Sequence, residues 1–264
     1  MRSVLIAGAS GRLGAQVTCE FKQQGYRVRA LTRTPDRLAH LREHIDEVER
    51  ADLTDPAQLE GVCRAGELVF SCAGASMALA DFRDRHSFTE IDYRGNLNLL
   101  QAAQRAGVWK FGYVSLFGAR ELLHTEYAAA HERFVDALRA SGLPYTVIRP
   151  TGYFSFFAEI LKLARQGQGM VIGSGEARTN PIHEADLAKV CVRAIEAEED
   201  EIPVGGPEAF TRREIVELAF AALGRSPQVR SLPPWLFRGI ATLSKPLNPR
   251  LAALLDFRAA VSQV

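Results

Sequence analysis

The chain has no long apolar run, no excess of one charge and no close pair of cysteines. None of its apolar stretches approaches the about 20 residues that a membrane-spanning helix requires. The formal net charge of the 264 residues is +1, and no basic or acidic block suggests nucleic acid as a partner. Four scattered cysteines favour a reducing compartment over a disulfide framework or a zinc site. We therefore expect a cytoplasmic protein without a transmembrane segment.

What the sequence does contain is a regular alternation of strand-like and helix-like segments. The strand-like runs are SVLIAG, YRVRALTR, DEVERADL, ELVFSCAG, KFGYVS and PYTVIRP. Apolar residues make up 47% of the chain, which is enough for one sizeable core. Strands that alternate with helices predict an α/β protein with a doubly wound parallel sheet covered by helices on both faces. We place this sheet core in residues 1–150.

The pattern changes after Pro150 and predicts a smaller, mostly helical lobe in residues 151–264, interleaved with the core in one compact unit. Thr211 with Glu214 three residues later forms a capping box before an amphipathic helix. From Pro233 onward, cationic and apolar residues are mixed. This segment either packs against the rest of the lobe, which is the commoner outcome, or lies on a membrane surface as a peripheral contact. Its cations are Arg238, Lys245, Arg250 and Arg258.

A glycine-rich turn, IAGASGRLGAQV, follows the first strand and opens the first helix. Glycines at 8, 11 and 14 permit a tight turn, a close backbone approach to a pyrophosphate and close helix packing. The helix N-terminus then offers free N–H groups to phosphates. The strand before and the helix after this turn favour a dinucleotide site over an ordinary connection. Its predicted residues are Gly8, Ser10, Gly11, Arg12, Leu13 and Gly14.

The second strand ends without the acidic residue that would bond the ribose 2′-hydroxyl of NAD. Arg33 stands there instead, with Arg37 a turn later and Arg12 in the glycine turn. A guanidinium can fork onto a 2′-phosphate and stack on adenine, so the sequence favours NADP over NAD. The alternative is that Arg33 pairs with Asp36 or Asp52.

Tyr127 and His131 lie four residues apart in the helical segment TEYAAAHERF and so share one face. A fixed positive charge one turn away would make tyrosine a useful proton donor near neutral pH. Histidine supplies that charge only when it is protonated. None of the six tyrosines has a lysine four residues later. The pair is therefore either a modified acid–base site or two ordinary helix residues beside the cleft.

These features together resemble the short-chain dehydrogenase/reductase superfamily, in its extended and atypical, NmrA-like branches. The resemblance rests on GASGRLG, ADLTD, VFSCAGAS, IDYRGNLNLLQAAQRAGVWKFGYVS, YTVIRPTGYF and NPIHEADLA, which occur in order over nearly the whole chain. It implies a Rossmann fold and oxidoreductase chemistry. The part from YTVIRPTGYFSFF to GGPEAFTRREI is also similar to the divinyl-chlorophyllide vinyl reductase subgroup.

The resemblance assigns roles to individual positions. Ser115 and Tyr127 stand where the family has its catalytic serine and tyrosine, whereas His131 occupies the lysine position and Asp92 replaces a frequent asparagine. Further cofactor contacts fall on Asp52, Leu53, Ala73, Gly74, Pro150, Thr151 and Gly152. Tyr153 and Phe154 are expected nearest the substrate, although aromatics here also suit a core between sheet and lobe.

We therefore predict a reductase that moves hydride from NADPH to a small, fairly apolar carbonyl or conjugated, quinone-like acceptor. The alternative is a non-catalytic NAD(P)-binding redox sensor or a respiratory-complex accessory or assembly protein. We expect a monomer or homodimer. No metal is predicted, because His40 and His44 suit a solvated helix better than a metal site. His183 suits a helix start better than a substrate contact.

Overall fold

A computed structural model of the chain describes residues 2–77 and 86–264. The strands of its central sheet are β1 (Ser3–Ala7), β2 (Arg27–Thr32), β3 (Glu47–Arg50), β4 (Leu68–Ser71), β5 (Lys110–Val114), β6 (Tyr145–Pro150) and β9 (Glu201–Val204). Their order is β3-β2-β1-β4-β5-β6-β9, and every neighbouring pair is parallel. This confirms the doubly wound parallel sheet that the sequence predicts.

Helices cover both faces of this sheet. The helices that flank it are α1 (Arg12–Gln23) and α5 (Glu184–Glu196) on one face, and α2 (Asn96–Ala106) and α3 (Glu126–Arg139) on the other. Phe21 and Phe70 are fully buried on the first face, and Phe111 and Phe134 are fully buried on the second. The chain runs outward from β1 to β3 and then crosses to β4. The strand order therefore reverses between β1 and β4, the position at which such sheets bind ligands.

Three segments with helical sequence patterns are not ordinary α-helices throughout. Residues Pro35–His44 form a 3₁₀ helix, and Thr89–Gly95 form a π-helix that leads into α2. The helical pattern over DPAQLEGVCR yields only the 3₁₀ turn Pro56–Leu59. Gly61 ends that turn because its φ of +71° lies in the left-handed region.

The C-terminal part adds two small sheets and four helices. These are α4 (Ser155–Arg165), β7 (Gly169–Ile172), β8 (Arg178–Thr179), β10 (Phe210–Thr211), α6 (Arg212–Ala221), β11 (Val229–Leu232), α7 (Pro234–Ser244) and α8 (Pro249–Val261). The capping box of Thr211 and Glu214 is present as predicted. The chain returns to the main sheet through α5 and β9. Within the described ranges, no helix combines the length and apolar character needed to cross a bilayer.

Candidate active site

The glycine turn is too tightly packed to accept side chains at two of its glycines. Gly8 has φ +82°, and a Cβ there would lie 2.8 Å from the backbone N of Ala73 in the loop after β4. A Cβ on Gly14 would lie 2.1 Å from the carbonyl oxygen of Gly8. The turn therefore needs glycine to bring α1 against the sheet edge between β1 and β4.

The N-terminus of α1 leaves its first N–H groups open. The N-cap residue is Gly11, which has no side chain to cap the helix, and its own N–H donates to the Gly8 carbonyl at 2.9 Å. The N–H groups of Arg12, Leu13 and Gly14 have no hydrogen-bond acceptor within residues 2–77 and 86–264. Open amides at a helix start fit a pyrophosphate. Ser10 is half-buried in the same turn, and Leu13 is buried beneath it.

The end of β2 presents Arg33 to Asp52, so the ion pair considered as an alternative from the sequence is formed. Nη1 of Arg33 lies 3.7 Å from Oδ2 of Asp52. Asp52 also accepts hydrogen bonds from N and Oγ1 of Thr54, at 2.9 and 2.8 Å. Burial acts to raise the pKa of Asp52, but these bonds and the charge of Arg33 outweigh it and lower the pKa overall. Arg12 and Arg37 are exposed.

Asn96 fixes the loop after β4 that carries Ala73 and Gly74. Its Oδ1 accepts from Oγ of Ser71 at 2.6 Å, and its Nδ2 donates to the carbonyls of Ala73 and Asp92 at 3.1 and 3.0 Å. A Cβ on Gly74 would lie 2.7 Å from Oδ1 of Asp92, so a side chain at this position would have to displace the Asp92 carboxylate. Leu53 comes close to the same helix start: its carbonyl accepts from Asn98 at 2.9 Å.

His131 is the centre of a buried polar cluster on α3. Its Nδ1 lies 2.6 Å from the hydroxyl oxygen of Tyr113 on β5, and its Nε2 lies 3.3 Å from Oδ1 of Asp92. The second contact is close but not aligned as a hydrogen bond, and both atoms lack any other partner among the described residues. The carboxylate favours the tautomer with hydrogen on Nε2, which leaves Nδ1 to accept from Tyr113. These two buried polar atoms thus face each other beside Gly74 without an aligned hydrogen bond.

Tyr127 shares one helix face with His131, as predicted. The two ring centroids are 4.7 Å apart, and Phe88 and Phe257 pack edge-on against the tyrosine at 5.0 and 4.7 Å. Burial first, and the charge of Asp92 second, raise the pKa of Tyr127 above that of free tyrosine. The hydroxyl therefore stays protonated at neutral pH and can donate a hydrogen bond.

Ser115 follows β5 and is held by an arginine. Nη1 of Arg149 lies 3.4 Å from Oγ of Ser115 and also donates to Oε1 of Glu132 at 2.5 Å and to the carbonyl of Leu116 at 3.2 Å. Nε of Arg149 donates to Glu201 at 2.8 Å. Because the serine oxygen accepts this hydrogen bond from the guanidinium, its hydroxyl hydrogen remains available to a ligand.

The segment after β6 is tied down by its own backbone. Pro150 ends the strand, and the hydroxyl of Thr151 donates to the carbonyl of Asn180 at 2.8 Å. The carbonyl of Gly152 accepts from N of Ile182 at 3.0 Å. These bonds fix the backbone of residues 150–152 at the carboxyl edge of the sheet.

Tyr153 and Phe154 diverge from each other. Tyr153 packs against the core with Cys72 and Cys191, and burial raises its pKa well above the ordinary value. Phe154 is 45% exposed and its ring lies 6.1 Å from that of His183, the N-cap residue of α5. Tyr153 is thus the more enclosed of the two aromatics.

Sequence reasoning gave no role to Tyr113, Asn96 or Arg149, although all three organise this edge. Arg149 is a charged residue within the otherwise apolar strand TVIRP, and this could have indicated a buried polar role. Asn96 and Tyr113 carry no comparable signal, because their partners come from other elements.

Comparison with known proteins gives the family. A family model described as NAD(P)H-binding matches residues 8–198. Divinyl chlorophyllide a 8-vinyl-reductase of Zea mays is 28% identical over 91% of this chain and 66% of its own length. Photosystem II assembly factor Ycf39 of Trieres chinensis is 24% identical over 91% of this chain and 75% of its own length.

The fold also matches a solved structure, that of NADPH-dependent quinone oxidoreductase QOR2 from Escherichia coli complexed with NADPH. The TM-score is 0.77 at 22% identity, covering 98% of this chain and 89% of that one. At this identity the likeness concerns the fold alone. The resemblance recognised in the sequence is confirmed at the level of family and fold.

Proposed function

Because the chain belongs to the NAD(P)H-binding family, we propose that it is an NADPH-dependent reductase of a small, fairly apolar conjugated or quinone-like acceptor. The observation that carries the proposal is the open first turn of α1, set by Gly8 and Gly14 beside the β4 loop. The amides of Arg12, Leu13 and Gly14 would hold the pyrophosphate, and Arg33 and Arg37 would hold the 2′-phosphate. Bound there, the nicotinamide supplies hydride.

The residues of the chain itself divide the remaining work. The unsatisfied Nε2 of His131 and Oδ1 of Asp92 would bond a ribose hydroxyl, in which role the histidine replaces a lysine. Ser115 would orient the acceptor through its free hydroxyl hydrogen. Tyr127 would donate a hydrogen bond to the oxygen that gains charge.

The raised pKa of Tyr127 bears on the acceptor class. A tyrosine without a fixed cation beside it donates a hydrogen bond but gives up its proton reluctantly. Quinones and flavins need little help from a protein acid, whereas ordinary ketones need a full proton. This favours a conjugated acceptor, and the maize relative is by its name a vinyl reductase.

A second candidate is a non-catalytic NAD(P)-binding factor, such as the assembly factor named for the Trieres chinensis relative. The observation that favours it is that both nitrogens of His131 face core groups, Tyr113 and Asp92. In that case the cluster would only stabilise α3 against the sheet.

NADPH consumption against a panel of quinones, enals, flavins and ketones separates the two candidates. We expect turnover with at least one quinone or enal, and a loss of about tenfold or more in kcat for Tyr127→Phe. Tight NADPH binding without turnover of any panel member would support the binding factor instead. Turnover unchanged in Tyr127→Phe and His131→Ala would remove both residues from the chemistry.

A further inference from the structure

Helix α7 exposes large apolar side chains that none of the described residues covers. Trp235 is 71% exposed, Ile240 is 45% exposed and Leu243 is 80% exposed, and Leu247, just beyond the helix, is 90% exposed. On a helical wheel, Trp235, Ile240 and Leu243 lie on the same side of α7. The other side of α7 packs on α8 through Phe237 and Ala241. The exposed set, which we term the α7 surface, is thus not needed for the core.

Cations border the α7 surface. Arg238 and Lys245 are exposed beside Trp235 on the wheel and have no carboxylate partner within residues 2–77 and 86–264. Residues 218–255 contain no Asp or Glu at all. This stretch holds five of the 32 Lys and Arg residues and none of the 31 Asp and Glu residues, so it is positively charged while the rest of the chain has an excess of acids. The surface is therefore complementary to an anionic partner with an apolar interior.

We propose that the α7 surface docks onto an anionic lipid bilayer, with Trp235, Ile240, Leu243 and Leu247 inserted at the headgroup boundary and Arg238 and Lys245 on lipid phosphates. Amphipathic helices that lie in the membrane–water interface have tryptophan and leucine on the side facing the lipid and cations along its edge, as α7 does. Apolar insertion and charge attraction act together, because either alone gives weak and reversible binding.

The same docking places the candidate site one helix from the bilayer. Helix α8 separates α7 from α3, and Phe257 of α8 packs on the ring of Tyr127 at 4.7 Å. An apolar acceptor dissolved in the membrane would have a short route to the site. The docking proposal itself does not depend on reductase activity, and its test reads no turnover.

The chain has two tryptophans, so Trp109→Phe leaves Trp235 as the sole reporter. With this variant, vesicles of phosphatidylcholine containing phosphatidylglycerol should shift the tryptophan emission to the blue, and brominated lipids should quench it. Pure phosphatidylcholine should produce a smaller shift. An unshifted and unquenched Trp235 in anionic vesicles overturns the proposal.

Flotation with the same vesicles tests the residues. The double variant Trp235→Ser/Leu243→Ser should reduce vesicle partitioning by about tenfold or more. The double variant Arg238→Gln/Lys245→Gln should reduce partitioning at low salt but not at high salt, because salt screens the attraction to lipid phosphates. Leu218→Ser, at a 49% exposed leucine of α6, is the matched control and should float like the wild type. NADPH affinity and the thermal midpoint report that each variant is folded. Equal flotation of wild type and the Trp235/Leu243 variant contradicts docking.

Sedimentation equilibrium without lipid tests whether a second copy of the chain, instead of a bilayer, occupies the α7 surface. A wild-type dimer that Trp235→Ser with Leu243→Ser dissolves, together with no flotation, would assign the α7 surface to a second copy of the chain and overturn the membrane proposal.

Discussion

Nδ1 of His131 lies 2.6 Å from the hydroxyl oxygen of Tyr113, a buried contact that joins α3 to β5. The histidine is thereby committed on one side to the core, while Nε2 on the other side faces Asp92 without an aligned hydrogen bond. A lysine at this position would have a mobile amine and a permanent charge. Position 131 is therefore a structural anchor through Nδ1, and in the proposed function Nε2 would also meet the cofactor; mutation can separate these roles.

Tyr113→Phe removes only the anchor. We expect it to lower the free energy of unfolding by about 1–3 kcal/mol, because Nδ1 is left buried without a partner. NADPH affinity should change little, since Nε2 is untouched. His131→Ala should lose both stability and affinity. Urea denaturation and calorimetric titration measure the two effects.

Tyr93→Phe is the control for the loss of a tyrosine hydroxyl, because its ring keeps the cation–π contact with Arg133. If Tyr113→Phe weakens NADPH binding as much as His131→Ala does, then anchor and ligand roles are not separable and the assignment of Nε2 is wrong.

Gly14→Ala should abolish cofactor binding. The added methyl group would lie 2.1 Å from the Gly8 carbonyl oxygen, so α1 must move away from the turn and its amides lose their alignment. Gly239→Ala is the matched control: nothing lies within 4 Å of a Cβ there, and the helix should gain about 0.5–1 kcal/mol. Titration with NADPH and NADH checks both variants. Binding by Gly14→Ala at wild-type affinity would argue against the glycine turn as the phosphate site.

The sequence was sufficient for the parts of this site that depend on local spacing. Gly8 and Gly14, together with the flanking strand and helix, predicted the turn, and the four-residue spacing of Tyr127 and His131 predicted their shared face. It was not sufficient for contacts made between elements. No local pattern links His131 to Tyr113 on β5, or Arg149 to Glu201.

Backbone details also escaped prediction. The π-helix Thr89–Gly95, which carries Asp92, adds one residue to each turn and so breaks the 3.6-residue period on which the helix prediction relied. The sequence also did not indicate that the turn into α4 leaves Phe154 45% exposed; its contact with substrate stays a prediction.

Arg33→Ala should weaken NADPH binding by about tenfold and leave NADH binding nearly unchanged. The guanidinium would contribute a charge-assisted bond to a 2′-phosphate, which NADH lacks. Releasing Asp52 from its 3.7 Å ion pair would also leave an unpaired carboxylate beside the proposed 2′-phosphate site, which disfavours the phosphate further. Arg42→Ala removes another exposed arginine, from the nearby 3₁₀ helix, as a control. Equal losses for NADPH and NADH would refute the NADP preference.

Alkaline pH should destabilise the fold through its buried tyrosines. The pKa of Tyr127 is raised by burial and by Asp92, and burial likewise raises those of Tyr113 and Tyr153. Above about pH 10 the unfolded chain releases protons from these tyrosines that the folded chain retains. Their contribution to the free energy of unfolding is therefore fully present below that pH and is lost as the pH rises. Each such group contributes a slope of up to about 1.4 kcal/mol per pH unit. Tyr127→Phe should therefore make the decline shallower by up to this amount in urea denaturation between pH 9 and 12 (about the window set by the free tyrosine pKa). A slope identical to that of the wild type would mean that the Tyr127 hydroxyl ionises as readily in the folded as in the unfolded chain, and would remove the case for a reluctant proton donor.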